Sequence, residues 1–262
     1  MEKNINKYQN LLKKRGLKPL TIKNYLWHID KFLLSLGKQK INTANLKKYQ
    51  ERLLRSRQNV GSLNLHFIII NDYLEFLQVK FKFALLSYQA PAVKVLSQKQ
   101  LTAFLAADSD QTSLIGRRDK AMLEILYYSG LKVSQLIKLK RHDIDTIKQE
   151  IFINGQSIHL DPLTWADLEK YLAWRHDNSP WLFINFDRAQ KNPVVNHLSV
   201  RSVERIIDKY ARRLRPPLII TPQILRHTLA HQIKRQGGLG RDVQSGLHLQ
   251  NPRATQKYWQ KL

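Results

Sequence analysis

The strongest constraint on the fold lies in the first eighty residues, where apolar side chains recur at helical spacing in four successive stretches. Gly16 ends the first stretch, and the second runs between Pro19 and Gly37, which favour a helix start and a helix stop. Thr43 is suited to cap the third, and a Gly-Ser pair precedes the fourth. Because four short amphipathic helices can bury a small bundle core, residues 1–80 are predicted to form a helical domain.

The rest of the chain combines helical stretches with one short hairpin. Residues 81–95 have no clean period and contain a proline, so they are predicted to form a linker. Ser97 can cap the first helix of a second domain, residues 96–262. Asn154-Gly155 separates two β-rich runs and is a strong hairpin signal. The predicted fold class is therefore mainly α with a small β-hairpin or sheet.

Capping residues mark further helices in the second domain. One apolar stretch ends at Gly130, and residues 163–176 have helical character. Ser199 or Ser202 can cap a later helix, and Thr221, followed by a proline, can open the last clear one.

The charge balance indicates a polyanionic partner. Lys and Arg number 44 against 20 Asp and Glu, which gives a formal net charge of +24. Such an excess costs self-repulsion and is typical of nucleic-acid-binding proteins, although a basic ribosome-like or membrane-surface protein would share it. The sequence has no cysteine, which excludes disulfides and thiolate metal sites. It shows neither an apolar run of membrane length nor a signal-peptide pattern, so we expect a cytoplasmic protein without membrane contact.

Three stretches of the second domain resemble the tyrosine recombinases, the family of phage integrases and Xer proteins. Residues 225–228 read Leu-Arg-His-Thr, and residues 255–258 read Thr-x-x-Tyr. Residues 118–136 contain Arg-Asp-x-Ala and Gly-Leu-Lys-Val-Ser-Gln-Leu, similar to the family's Arg-Asp-x-Ala and Gly-Leu-Arg-Val-Ser-Glu-Leu. The resemblance implies an N-terminal helical (SAM-like) core-binding domain and a C-terminal catalytic-type domain, which together clamp double-stranded DNA. It also implies chemistry without a metal or any other cofactor.

The resemblance assigns the central chemistry to two residues. The hydroxyl of Tyr258 would cleave one DNA strand and form a 3′-phosphotyrosine bond, which a 5′-hydroxyl of another strand later reverses. Arg226 corresponds to the family's phosphate clamp, and its planar guanidinium offers a bidentate fork. The reaction requires that tyrosine lose a proton despite a reference pKa of about 10, that donors stabilise the transition state, and that the leaving oxygen gain a proton.

Several positions of the family pattern carry other residues. Lys132 stands at the first arginine and keeps the charge without the fork. Gln135 replaces the following glutamate, and Gln223 replaces the first histidine but cannot shuttle a proton near neutral pH. The family's hairpin lysine is missing, because the turn reads Gly-Gln at residues 155–156.

The second histidine of the pattern is displaced by one residue. The position nine residues before the tyrosine is Leu249, and His248 precedes it, so a one-residue bulge could restore the histidine. We therefore predict a basic pocket formed by Lys132, Arg226 and Tyr258, with Gln223 and His248 at its edge.

Polar and basic residues on the predicted helices are candidates for contact with DNA phosphates. The residues selected are Thr21, Lys23, Lys47, Lys48, Arg201 and Arg205. Charged faces of helices are commonly just solvated, but the net charge of the chain favours a role in binding.

Three functions remain open from the sequence. The first is a working site-specific recombinase for DNA recombination or integration, and the second is a recombinase-derived, sequence-specific DNA-binding protein with little or no cleavage. The third is a basic helical RNA-binding or structural protein. Only four residues follow Tyr258, too few for a stable helix that docks on a neighbouring subunit. We therefore predict a monomer in solution, with at most weak association on DNA.

Overall fold

The computed structural model describes residues 2–56, 58–89, 92–107, 110–153, 155–186, 197–249, 251, 255–256 and 259–260. The chain divides into two compact units, Met1–Pro91 and Ala92–Leu262. The first contains the helices α1 Glu2–Lys14, α2 Pro19–Leu36, α3 Thr43–Leu54 and α4 Val60–Phe76. The second contains α5 Gln98–Leu105, α6 Leu114–Tyr128, α7 Val133–Leu136, α8 Pro162–Ala173, α9 Val200–Ala211, α10 Pro222–Arg235 and α11 Gly240–Gly246, with strands β1 Ile144–Asp145, β2 Glu150–Ile153 and β3 Gln156–His159. The predicted fold class is confirmed. None of the helices in these described ranges is both long and apolar enough to cross a bilayer.

Asparagines begin two helices of the first unit. The Asn42 side-chain oxygen accepts the backbone N–H of Asn45 at 2.9 Å, and that of Asn59 accepts the N–H of Gly61 at 2.8 Å. The prediction that Thr43 caps α3 is therefore wrong. Asparagine is among the best residues at this position because its oxygen reaches an amide that lacks a helical partner while its own backbone stays extended.

An irregular segment after α4 packs on the first unit. The backbone N–H and C=O of Phe83 are both hydrogen-bonded by the Asn71 side chain, at 2.8 and 3.0 Å. Asn64 binds the backbone of Leu86 in the same way. Phe83 is fully buried and stacks on Phe67 with ring centroids 5.1 Å apart. Two asparagine side chains thus provide the hydrogen bonds that a strand partner would otherwise supply.

The core of the second unit surrounds α6, which is buried on nearly every side. Within it, the fully buried Asp119 accepts hydrogen bonds from Arg118 at 2.6 and 3.1 Å. The same carboxylate accepts from Lys209 and Tyr210 of α9, each at 3.1 Å. Arg118 also donates to the carbonyl of Ile184 at 2.9 Å. A buried carboxylate is tolerated when its lone pairs are satisfied in this way, and the network fixes α9 on α6.

The small sheet is antiparallel, in the order β1-β2-β3. Ile151 pairs with Ile158, and both point into the core, while Gln156 pairs with Ile153 at the end of the hairpin. Gly155 in the turn has φ of 80°, and Asn154 lies outside the described residues. The hairpin therefore ends in two side chains, Ile153 and Gln156, that reach the candidate site described below.

Local capping rules identified three helix starts in the second unit. Ser97 forms a capping box with Gln100, and the hydroxyl of Ser199 accepts the N–H of Ser202 at 3.0 Å. Of the two serines considered for α9, Ser199 is therefore the cap. Thr221 accepts the N–H of Ile224 at 3.2 Å and opens α10, the helix that carries Arg226.

Candidate active site

A tight turn between α6 and α7 forms one side of the candidate site. Gly130 has φ of 60°, and a Cβ at this position would collide with the carbonyl oxygen of Gly246 in α11. Glycine is required here by both the backbone conformation and the close approach of the second segment. The turn leads to Lys132, which immediately precedes α7 and whose backbone N–H donates to the Gln135 side chain at 3.0 Å.

Arg226 lies beneath this turn, with only 5% of its surface exposed. Its Nη1 donates to the carbonyl oxygen of Gly130, and its Nη2 donates to that of Leu247 at 2.5 Å. One buried guanidinium therefore joins α10, the α6–α7 turn and the end of α11. The positive charge of Arg226 also lies near His248, the residue after Leu247, and contributes to the lowered pKa of the His248 ring.

A groove of about 750 Å³ opens above this arrangement. It is lined by Lys132, Ser134, Gln135, Ile153, Gln156, Arg241, Gln244, Ser245, His248, Leu249 and Asn251. Among these lining residues, all within the described part of the chain, two are permanent cations and none carries a carboxylate. The groove is therefore polar and positively charged, which suits a phosphodiester.

His248 is held between the turn and the hairpin. Its Nε2 lies 2.9 Å from the carbonyl oxygen of Ser129, so this nitrogen carries a hydrogen and donates. Its Nδ1 lies 3.3 Å from the side-chain amide of Gln156. In the neutral ring Nδ1 is an acceptor, so it accepts from the amide N–H of Gln156. This requires that the oxygen and nitrogen of the Gln156 amide be exchanged, because the two atoms are assigned from their hydrogen bonds. His248 has φ of 49°, an uncommon left-handed conformation that turns its ring toward the groove.

The environment keeps His248 neutral. Burial lowers its pKa below the usual value, the hydrogen bond to the Ser129 carbonyl opposes that shift, and the charge of Arg226 lowers the pKa further. At pH 7 the ring is therefore a proton acceptor rather than a proton donor.

Gln223 does not line the groove. It is exposed in the first turn of α10, and its amide nitrogen lies 2.6 Å from Nε2 of His227. The amide donates, so His227 accepts through Nε2. The structure thus brings Lys132 and His248 to one groove above Arg226 and directs Gln223 to a neighbour on its own helix. Its predicted place at the edge of the site stays a prediction.

Tyr258 lies outside the described residues. Thr255, the first residue of the Thr-x-x-Tyr signature, is described and is only 5% exposed. Its backbone N–H and its hydroxyl both donate to the carbonyl of Asn251, at 3.1 and 3.2 Å. Because Asn251 lines the groove, the start of the tyrosine signature is connected to the site by hydrogen bonds.

The predicted DNA-contacting side chains are all exposed. They lie on α2, α3 and α9, at Thr21, Lys23, Lys47, Lys48, Arg201 and Arg205. Exposure makes contact with phosphates feasible, and their role in binding stays a prediction.

Sequence reasoning missed the contribution of α11. Arg241, Gln244 and Ser245 of this short helix line the groove. The available signal was weak: Val243 and Leu247 are four residues apart and buried on one face, after a glycine-rich stretch. A helix of seven residues gives too few repeats for periodicity to be recognised.

Comparison with known proteins places the second unit in a family. Residues 94–262 match the sequence model described as the phage integrase family. Tyrosine recombinase XerA of Pyrococcus horikoshii is 28% identical over 264 residues, covering 97% of this chain and 87% of that protein. Tyrosine recombinase XerC of Psychromonas ingrahamii is 26% identical over 270 residues, covering 97% of this chain and 90% of that protein.

Solved structures show the same fold. The Tn1549 transposon integrase in complex with circular intermediate DNA has a TM-score of 0.73 at 17% identity, covering 98% of this chain and 94% of that one. A lambda integrase dimer bound to a COC′ core site has a TM-score of 0.72 at 16% identity, covering 99% and 77%. The resemblance inferred from the sequence motifs is confirmed by the family match, which spans more than half of the residues. This chain belongs to the phage integrase family.

Proposed function

We propose that this protein binds duplex DNA and catalyses site-specific strand transfer, with the scissile phosphodiester held in the groove between α7, the hairpin and α11. The observation that carries the proposal is the groove itself, because Lys132, Arg241 and His248 line it and Arg226 lies buried beside it. The family's DNA-bound relatives and the net charge of +24 support a polyanionic partner.

The proposed reaction divides into proton transfers and phosphoryl transfer. The hydroxyl of Tyr258 displaces the Gln156 amide from Nδ1 of neutral His248 and gives its proton to that nitrogen, and the phenolate oxygen attacks phosphorus. The bond from phosphorus to the 5′-oxygen breaks, and that oxygen takes a proton from the Lys132 ammonium or from protonated His248. Lys132, Arg241 and Arg226 compensate the negative charge that grows on the phosphoryl oxygens. Attack by another 5′-hydroxyl reverses these steps and releases Tyr258.

A second candidate function is sequence-specific DNA binding with little cleavage. The specific observation that favours it is the chemistry of Gln156 and Gln223. Gln156 sits in the hairpin where the family carries a lysine, and its amide contacts His248 instead of offering an acidic proton. Gln223 is paired with His227. Neither amide can protonate a leaving oxygen near neutral pH.

The first test separates the two functions. Duplexes selected by the protein from a random-sequence pool would be rebuilt with a nick next to each candidate phosphate, so that cleavage releases a short fragment and traps the protein on DNA. We expect a covalent adduct with the wild-type protein and none with Tyr258→Phe, which should bind the same DNA with unchanged affinity. Tight binding without an adduct would establish the second function, and equal affinity for duplex RNA would contradict both.

We also propose a monomer in solution that associates weakly on DNA, and a site of action in the cytoplasm, where a DNA partner is available. Light scattering of the protein alone and of its complex with a selected duplex would test the first point. A stable tetramer without DNA would contradict it.

A further inference from the structure

A second basic cavity of the second unit lies between α6 and α8. This α6–α8 hollow has a volume of about 490 Å³ and is formed by Arg117 and Lys120 of α6, by Asp167 and Lys170 of α8 and by the end of α5. Arg117 lies 11 residues before Tyr128, the last residue of α6, which corresponds to about 16 Å along a helix. The hollow and the α6–α7 turn of the candidate active site are therefore at opposite ends of α6.

The two helices line the hollow with residues at matching spacing. Residues three and four positions apart share one face of a helix. On α6 these are Arg117, Lys120 and Glu124, and on α8 and its last turn they are Asp167, Lys170 and Trp174. Burial raises the pKa of Glu124, Lys120 opposes this rise, and the nearby Asp167 carboxylate adds to it. Two carboxyl groups that disfavour each other's charge neutralise the surrounding cations incompletely.

The lysines of the hollow keep donors that the protein does not use. Nζ of Lys120 donates to the carbonyl oxygen of Leu105 at 2.6 Å and pairs with Glu124 at 2.7 Å, which leaves one of its three hydrogens. Nζ of Lys170 donates to Asp167 at 2.9 Å. Among the lining residues that the structure describes, three are cations and one is a carboxylate. The hollow therefore attracts an anion.

Arg117 is the cation best placed to bind that anion. Its guanidinium lies 4.2 Å from the centroid of the Trp174 ring, so one face of the guanidinium is covered and its orientation is fixed. Its Nε is buried and has no hydrogen-bond partner within the described residues. Leaving a buried donor unpaired costs free energy, and a small shift of the guanidinium along the indole toward an oxyanion removes that cost.

The remaining wall of the hollow is apolar. It is formed at the end of α5 by Leu105, Ala106 and Ala107. A cavity of this volume is within the range of small-molecule sites, which combine apolar walls with a few convergent polar groups. The ligand that fits therefore carries an oxyanion at one end and an apolar group at the other.

We propose that the α6–α8 hollow binds a small phosphate ester of the size and chemistry of a nucleoside monophosphate. The phosphate accepts hydrogen bonds from the guanidinium of Arg117 and from the ammonium groups of Lys120 and Lys170, and the base packs against the end of α5. This site is independent of the proposed strand transfer. A DNA backbone suits it less well, because a duplex presents its phosphates on a convex surface without an apolar group that could enter the cavity.

Calorimetric titration of the wild-type protein tests the ligand class. The probes are AMP, adenosine and inorganic phosphate. AMP should bind at one site and at least roughly 5-fold more tightly than either of the other two, because only AMP uses both the cations and the apolar wall. No saturable binding of AMP, or equal affinity for AMP and inorganic phosphate, would overturn the proposal.

Variants of the hollow test the location. Arg117→Ala should weaken AMP binding by roughly 10–100-fold, as loss of a charged bidentate donor implies, and Arg117→Lys should lie between this variant and the wild type. Arg235→Ala removes the same charge from an exposed residue of α10 and should leave the affinity unchanged. Ala106→Glu adds a carboxylate to the wall at an exposed position, so it should also abolish binding while Arg117 stays in place.

Two further measurements separate the hollow from the groove and from DNA. Lys132→Ala changes the groove and should leave AMP affinity unchanged, whereas a loss equal to that of Arg117→Ala would place AMP in the groove and overturn the proposal. Excess duplex DNA should not displace AMP. Displacement together with weakened DNA binding by Arg117→Ala would show that the hollow holds a DNA phosphate, and would overturn the proposal as well.

Discussion

The buried frame of the candidate site and the exposed wall of its groove differ in how closely they follow the family pattern. The buried frame consists of Gly130, Arg226 and the Leu247 carbonyl, and both Gly130 and Arg226 match the family motifs. The exposed wall includes Lys132 and Gln156, and both differ from the motifs.

The difference follows from what each residue does for the fold. The Arg226 guanidinium binds two backbone carbonyls, so its replacement leaves buried acceptors without partners whether or not any reaction takes place. The side chains of Lys132 and Gln156 are exposed, so we expect their exchange to leave the packing of the core unchanged. The fold therefore constrains the buried frame of the candidate site, whereas it does not constrain the exposed residues on which the proposed proton transfer depends.

The largest expected effect follows from breaking the buried frame. Arg226→Ala should abolish cleavage and lower the free energy of unfolding by about 2–4 kcal/mol, because two buried carbonyls lose a charged donor and a cavity remains. The exposed Arg201 provides the control, and Arg201→Ala should change stability by no more than about 0.5 kcal/mol. Urea unfolding measures both. An Arg226→Ala protein as stable as the control would show that the frame does not hold the site together.

Restoring the exposed wall should change rate without changing stability. Lys132→Arg combined with Gln156→Lys should raise the rate of adduct formation by about 10²–10³-fold, since each returns a donor aimed at the reacting phosphate. Gln223→His alone should have a much smaller effect, because Gln223 is outside the groove and pairs with His227. Single-turnover rates on one selected duplex would compare these variants. Equal rates for the restored and wild-type proteins would indicate that the frame has also lost its function.

A buried polar cluster in the first unit makes the stability of the protein depend on pH. His66 contacts His28 between their Nδ1 atoms at 2.8 Å and the Tyr49 hydroxyl through Nε2 at 2.6 Å. Burial lowers the pKa of His66 to about 4, with smaller contributions from His28 and Lys31. Burial also lowers the pKa of His28, and the charge of Lys31 adds a smaller contribution. Because the pKa in the folded state is below the unfolded value of about 6.5, the neutral histidines contribute stability to the fold. That contribution is complete above pH 6.5 and is lost as the pH falls toward 4.

The pH effect can be measured on the whole protein. Stability should fall by roughly 3 kcal/mol between pH 6.5 and pH 4 on account of His66, and His66→Gln should flatten this part of the profile. His142 is exposed, and His142→Gln serves as the matched control. An unchanged slope in His66→Gln would show that the cluster is not the group that titrates.

The smallest effects are expected at exposed cations away from the groove. Arg201→Ala and Arg205→Ala on α9 should each weaken binding to all duplexes similarly and reduce the slope of log K against log salt by about one. Glu204→Gln on the same helix is the control, and it should not reduce the slope. A loss of sequence preference instead would show that these arginines read bases.

Local physical rules predicted those parts of the fold that depend on nearby residues. The start of α2 at Pro19, the caps at Ser97 and Thr221, and the hairpin follow from side chains within a few positions. The cap at Asn42 was missed because a threonine follows it directly and both residue types can accept the amide.

Contacts between distant residues could not be predicted in the same way. His248 and Ser129 are 119 positions apart, and the position of the histidine ring depends on where α11 ends relative to the α6–α7 turn. Phe83 belongs to a segment without periodicity, and its burial depends on the side chain of Asn71. Sequence motifs named Arg226 and Lys132, but only the three-dimensional structure shows that one is buried and the other exposed.

The central claim is that the site still holds the phosphate but donates a proton poorly to the leaving oxygen. A duplex with sulfur in place of the 5′-bridging oxygen tests this directly, because a thiol ionises near a pKa of about 8.5 and leaves without protonation. Wild-type protein should form the Tyr258 adduct about 10²-fold faster, or more, on the sulfur-containing duplex than on the normal one, in line with the usual contribution of general acid catalysis. The gain should shrink when Lys132→Arg and Gln156→Lys are present. Equal rates of the wild-type protein on the two duplexes would contradict the account.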